Sequence, residues 1–188
     1  MEEKRSVEER LAASLKELVI REPFEKITIR QITDGAGVIR VTFYNHFQDK
    51  YDLLEWIVRE ELLEPVRLLV DNGMYRETMV LIFRNLQKDA DFYTAAAKIE
   101  GTNSFRDIGR RCFTQMLEEM FTRQISQKKP VHPWMTAQYL AKYYGQSMNF
   151  VAFEWIESGM KASPEEMAAI YEYIATRSMY DLLDELRN

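Results

Sequence analysis

Within Arg40-Val41-Thr42-Phe43-Tyr44-Asn45-His46 the chain places a guanidinium, a hydroxyl, a phenol, an amide and an imidazole, and Lys50 adds an ammonium shortly after. These groups donate hydrogen bonds and carry positive charge. They suit contact with a polyanion better than the making of a bond. Side chains of this kind meet phosphate oxygens and base edges: an arginine fork fits guanine O6 and N7 together, and a valine packs on a thymine methyl.

The elements that position these side chains are short and well marked. Thr28 followed by Gln31 is a capping-box pattern opening a helix that carries Arg30. Gly35-Ala36-Gly37 ends it, because glycine takes the positive φ of a sharp reversal. A second short helix then runs from about Ile39 to Asn45. Phe43 and Phe47 are expected to face inward with Leu15, Ile29 and Ile32. Two short helices across a glycine turn make a helix-turn-helix, whose second helix enters a DNA major groove with its N-terminal residues, here Arg40 and Val41, at base edges. Asp49 caps a fourth helix beginning at Lys50, and its free N–H groups together with the Lys50 ammonium suit a phosphate.

Composition agrees with an all-α reading. Of 188 residues, 46% are hydrophobic and 29% charged, with 7 glycines and 5 prolines, which suits a globular helical chain. Net charge is −5, but residues 1–50 hold nine basic and nine acidic residues, so the rest of the chain carries the whole excess. A neutral head bearing Arg30, Arg40, His46 and Lys50 on an acidic body confines anion binding to one face. The two histidines and one cysteine offer no paired metal spacing. A phosphate-cradling glycine loop and a serine elbow are absent, and Glu60-Glu61 and Glu165-Glu166 read as exposed pairs. We therefore expect no enzyme, no cofactor and no metal. The mixed-charge start, the short apolar run Met79–Phe83 and the lone Cys112 imply a cytoplasmic chain without a targeting segment or membrane span.

About nine helices are expected: a three-helix head over residues 1–50, then a linking helix disturbed at Pro65 and a helical body over 51–188. A loop is expected from Lys128 to Pro133, a long helix over 134–158, and a last helix from Ser163-Pro164-Glu165-Glu166 to 187. On the long helix Ala141, Gly145, Met148 and Ala152 form a small-residue stripe. On the last helix Ile170, Ile174, Ser178 and Leu182 align. These two stripes are expected to build a homodimer interface, since one helix-turn-helix reads too few base pairs for specificity. Phe83, Tyr93, Phe113, Met116, Met120, Tyr139 and Tyr143, with Asn103 and Gln146 as polar anchors, are expected to line a pocket for a small-molecule effector. Its filling would tilt the linking helix and alter the spacing of the two recognition helices.

Gly37-Val38, Thr42-Phe43-Tyr44, His46-Phe47 and Lys50, in this order and spacing, resemble the DNA-binding domain of TetR-type transcriptional regulators. The resemblance covers residues 10–58, and beyond them it rests on helix number and order. It implies that Thr42, Tyr44, His46 and Lys50 contact phosphates of a double-stranded operator. Thr28, Arg30 and Asn45 join this DNA-facing set. The run from Lys26 to Leu54, with Glu100-Gly101-Thr102-Asn103-Ser104-Phe105, is similar to one branch of the family, regulators of the dihydroxyacetone-kinase operon type, some of which activate with a partner protein. Ile39 departs from the pattern, which has a polar cap there. An isoleucine cannot accept the exposed N–H groups, a loss of about 0.5–2 kcal/mol. Three outcomes follow: a cap supplied from elsewhere, a helix ordered by DNA, or a chain with weakened DNA binding that acts through a protein partner.

Overall fold

The computed structural model describes residues 6–125 and 132–187, and among these every regular element is a helix. Helix α1 (Val7–Arg21) opens with a capping box in which Ser6 and Glu9 serve each other's backbone N–H groups, and buries Leu11, Ala12, Leu15 and Val19. Pro23 follows, and one turn at Phe24–Lys26 leads to α2 (Ile29–Ala36). Thr28 and Gln31 form the expected capping box, and Gly37 closes α2 at φ 64°. Then come α3 (Arg40–His46) and α4 (Lys50–Ile57), whose cap Asp49 accepts from the N–H groups of Tyr51 and Asp52. Leu11, Leu15, Ile32, Phe43, Leu53 and Leu54 are fully buried and knit these four helices together.

Gly35 lies within α2 and sets how closely that helix meets α1. A Cβ there would stand 2.3 Å from Ser14 Oγ and 3.3 Å from Ser14 Cβ. Gly35→Ala should therefore destabilise the head by about 1–3 kcal/mol through overpacking. Adding Ser14→Ala should recover part of that loss. Thermal melts of the two variants check this, and equal melting temperatures would show the contact to be slack.

The chain beyond α4 keeps winding but changes pitch. Pro65 has no N–H and its ring crowds the carbonyl four residues earlier. Over Val58–Leu63 the helix widens to π winding and then tightens for one turn at Glu64–Val66. The Glu61 carbonyl, left over by Pro65, accepts from Asn85 Nδ2 at 3.2 Å. Helix α5 (Arg67–Asp71) completes the linker before Asn72-Gly73.

The body holds α6 (Tyr75–Lys88), α7 (Ala90–Ala96), α8 (Phe105–Ile125), α9 (Ala137–Glu157), α10 (Pro164–Thr176) and α11 (Met179–Arg187). Of the expected loop from Lys128 to Pro133, residues 128–131 lie outside the described residues, and His132 and Pro133 are non-helical. Ser163, Pro164 and Glu166 open α10 as read from the sequence. The expected single helix over 163–187 is instead two: Arg177 is extended, and Ser178 caps α11 by accepting from the Asp181 N–H at 3.2 Å. Ser178 is thus a cap, and Leu182 belongs to a separate helix. A serine offers the backbone a local alternative to helical bonding, and here that alternative wins.

Helices α8 and α9 pack more extensively than any other pair, and glycines set their distance. A Cβ on Gly145 would lie 2.7 Å from Thr114 Oγ1 and 3.1 Å from Thr114 Cα, and one on Gly109 would lie 2.8 Å from Asn149 Oδ1. Ala141, Gly145, Met148 and Ala152 are accordingly buried within the chain, and not free to face a second copy. The small-residue stripe of α9 is thus covered by its own chain. The outward face of α9 carries Tyr139, Tyr143 and Phe150, which are 51%, 64% and 57% exposed. On α10, Ile170, Tyr173 and Ile174 also point outward.

Head, linker and body meet at Lys16 of α1. Its half-buried ammonium bonds Glu61 Oε2 in the linker at 2.6 Å and Asp89 Oδ2, between α6 and α7, at 2.5 Å. It also lies 5.5 Å from the centre of the Phe92 ring. Burial works to lower the Lys16 pKa, but the hydrogen bonds to Asp89 and Glu61 outweigh it and hold the ammonium above the usual lysine range. Tyr93, fully buried, keeps a hydroxyl without a hydrogen-bond partner. Burial and the Glu61 and Asp89 charges push its pKa well up.

Candidate nucleic-acid interface

Helix α3 is held from behind and bare in front. Phe43 and Phe47 are buried as expected, with ring centres 5.8 Å apart, and Phe47 meets Trp56 of α4. Outward stand Ile39, Arg40, Val41, Tyr44 and Asn45, while Thr42 is half-buried. The Arg40 guanidinium lies 5.4 Å from the centre of the Tyr44 ring, and its Nη2 donates to the Tyr44 hydroxyl at 3.1 Å. This stacking braces a long side chain, which lowers the entropy lost when its fork engages a base.

His46, at the end of α3, is fixed by α1. Its Nδ1 lies 2.9 Å from Glu8 Oε1. Backbone hydrogen bonding at the N-terminus of α1 acts first to hold the Glu8 carboxyl below the usual range; burial opposes it, and Ser6 and His46 add to the lowering. With Nδ1–H given to Glu8, the imidazolium form presents Nε2–H outward, and the neutral form presents an acceptor there. Only the former suits a phosphate.

Lys50 is placed differently from the expectation. Its ammonium donates to the carbonyls of Phe24 at 2.6 Å, Ile27 at 2.9 Å and Glu25 at 3.2 Å, and stands 4.7 Å from the centre of the Phe24 ring. Burial lowers its pKa, opposed by the Glu25 and Asp49 charges. A lysine ammonium has three donors, and all are spent on the turn between α1 and α2. The Tyr51 and Asp52 N–H groups at the start of α4 are likewise taken by Asp49. Neither the ammonium nor these two N–H groups are free for a phosphate in this conformation. Spacing along the chain could not reveal this, because the carbonyls come from 23–26 residues earlier.

Of the remaining expected contacts, Arg30 is almost fully solvated beside Asp34, at 3.5 Å. The Thr28 hydroxyl accepts from the Gln31 N–H at 3.2 Å and lies on the surface. The outward residues of the head therefore form one polar and apolar surface along α3, with Arg30 and Thr28 on the neighbouring helix.

The body has a second feature of functional size. A cavity of about 400 Å³ opens between α5, α6, α8, α9 and α10, walled by Val70, Met79, Met116, Leu117, Met120, Phe121 and Met148, with Tyr75, Tyr144 and Tyr171 at its polar points. Arg76 and Glu172, 3.8 Å apart, stand at its edge. Met116 and Met120 line it, as the sequence suggested. The other expected pocket residues do not. Phe83, Tyr93 and Phe113 are consumed by close packing in the core. Tyr139, Tyr143 and Gln146 lie on the outer surface of α9, and Asn103 lies in an exposed turn. Val70, Met79, Leu117 and Tyr171 escaped the sequence reading because a cavity depends on what packing leaves unfilled. Cys112 is buried, and its thiol is pushed up to about 12 by burial first and by Glu55, far from a reactive thiolate. Among the described residues no group of three His, Cys, Asp or Glu comes together to hold a metal ion, and no helix is long and apolar enough to cross a membrane.

Residues 11–57 match the family model for bacterial regulatory proteins of the tetR family, and residues 75–177 match the model for a transcriptional regulator C-terminal region. The chain is 29% identical, over 83 residues, to the HTH-type dhaKLM operon transcriptional activator DhaS of Lactococcus lactis subsp. lactis (strain IL1403). That match spans 44% of this chain and 44% of that protein, so less than half the length of the curated relative is covered. The solved dihydroxyacetone kinase operon activator DhaS resembles it in fold, with TM-score 0.63 and 20% identity over 89% of this chain and 93% of that one. NalD, the secondary repressor of the MexAB-OprM multidrug efflux pump in Pseudomonas aeruginosa, gives TM-score 0.60 and 20% identity over 88% and 92% of the two chains.

Proposed function

Because the chain belongs to the TetR family of bacterial regulatory proteins, we propose that it binds an operator duplex as a homodimer and changes its grip when a small apolar effector enters the body cavity. The protein is a DNA-binding transcriptional regulator. The observation that carries the further reading is the bare outer surface of α3 on a fully packed core, with Arg40 braced on Tyr44. In this reading Arg40 and Val41 meet base edges, while Thr42, Tyr44, Asn45 and protonated His46 meet phosphates, with Thr28 and Arg30 at the flank. Lys50 contributes by fixing the turn before α2, and so the angle of the head. The outward aromatics of α9 and the outward isoleucines of α10 supply the apolar surface that a second copy would cover. The cavity, apolar and methionine-walled, supplies the effector site. An effector regulates only if it binds the two operator-spacing states unequally. A regulator of this kind works in the cytoplasm, where the chromosome is.

Selection of bound sequences from random duplexes tests the reading. The wild type should enrich an inverted repeat with half-sites about one helical turn apart. Arg40→Ala should weaken the selected site by about 1–3 kcal/mol, roughly 5- to 150-fold, and relax preference at one symmetric pair of positions. An unchanged motif with Arg40→Ala would place the recognition surface elsewhere.

A further inference from the structure

The three other helices of the head all have side-chain caps, Ser6 on α1, Thr28 on α2 and Asp49 on α4, while α3 begins at Ile39 with no side-chain cap hydrogen bond. The omission is not offset by burial. Ile39 is 70% exposed and Val41 is 65% exposed, the two most exposed large apolar side chains of the head, on either side of Arg40. A chain that follows the capping rule on three helices and breaks it on the fourth has put a less stable residue where a local gain was available. Such breaks are expected at functional positions. The N-terminal end of α3 is the end that a recognition helix presents to base edges. The apolar group that a major groove offers there is the thymine C5-methyl.

We propose that Ile39 is a specificity-determining residue that, with Val41, packs on thymine methyl groups in each half-site. The inference rests on reading α3 as the recognition helix. It adds that sequence preference is set partly by apolar contact beside the Arg40 fork, and that the uncapped start of α3 is the structural counterpart of that contact. A serine at this position would close the helix end and leave the methyl uncovered.

The test uses the full chain and the duplex selected from random sequences. Each thymine is replaced in turn, in both half-sites, by deoxyuridine, which removes the methyl and leaves every hydrogen-bonding group. Binding is followed by fluorescence anisotropy. Wild type should lose about fourfold per half-site at one symmetric pair of thymines, the worth of one buried methyl. Ile39→Ser should bind thymine and deoxyuridine alike at that pair, and its melting temperature should hold or rise as the hydroxyl caps α3. Wild type should show a like loss at a second symmetric pair of thymines, and Val41→Ala should abolish discrimination there. If no thymine is sensitive in wild type, or if Ile39→Ser keeps full sensitivity, the proposal is overturned and Ile39 is an ordinary surface residue. Failure of wild type to enrich any duplex would instead overturn the recognition-helix reading beneath it, so the two failures are told apart.

Discussion

Gly145→Leu is expected to destabilise the body rather than to split a dimer. The added Cβ alone would press on Thr114, including its backbone at 3.1 Å and 3.2 Å, and backbone cannot swing aside. Overpacking of a filled core runs to about 1–3 kcal/mol and occasionally more, and a full leucine against backbone belongs at or above the top of that range. For a chain of this size, 3 kcal/mol lowers the melting temperature by roughly 6–12 °C. Gly145→Ala should fall by less, since Thr114 Oγ1 can rotate. Calorimetry with sedimentation checks both. A Gly145→Leu variant that melts like wild type but sediments as a monomer would show that the small-residue stripe of α9 faces a partner after all.

The complementary result belongs to the other face of the same helix. Tyr143→Asp should leave the melting temperature of the folded chain within a few degrees, because Tyr143 is 64% exposed and meets the Tyr144 ring edge-on. Across a two-fold interface it would bring like charges and unpaired carboxylates into an apolar contact. A central aromatic of this kind is worth about 2–4 kcal/mol, roughly 30- to 1000-fold in dimer dissociation. Operator affinity should fall with it, since one head alone holds half the contacts. Concentration-dependent sedimentation reads the effect directly. If Tyr143→Asp dimerises as tightly as wild type, the outward aromatics of α9 are not the interface.

Why the two faces of α9 could be confused in the sequence is physical. Both are apolar, so periodicity finds a helix and cannot say which stripe is covered by its own chain. The deciding partners, Thr114 and Gly109, lie on α8 and are fixed only when the fold closes. The head was legible for the opposite reason. Thr28, Gly37 and Asp49 act on backbone groups within a few residues of themselves, so their effect is written locally. Lys50 falls between these cases: its place at the start of α4 was readable, but its three carbonyl partners were not. The body cavity was least legible, because aromatic richness signals tight packing as readily as a void. Phe83, Tyr93 and Phe113 took the first course, and Met116 and Met120 the second.

The widened winding at Val58–Leu63 gives one rod two bearings. In a regular α-helix each residue turns the side-chain direction by about 100°, so a continuous helix would carry the stripe begun by Leu53, Leu54 and Ile57 straight on along a single azimuth. An extra residue accommodated in one turn slips the phase. The slipped turn itself buries Val58, Leu62 and Leu63 and packs on α6 and α8, whereas α4 before it also packs on α1. The compass setting of the head about the body is therefore held in that slip, which Pro65 enforces from two residues downstream. A close relative that lost a single residue here could keep both cores intact and still point its recognition helices in another direction.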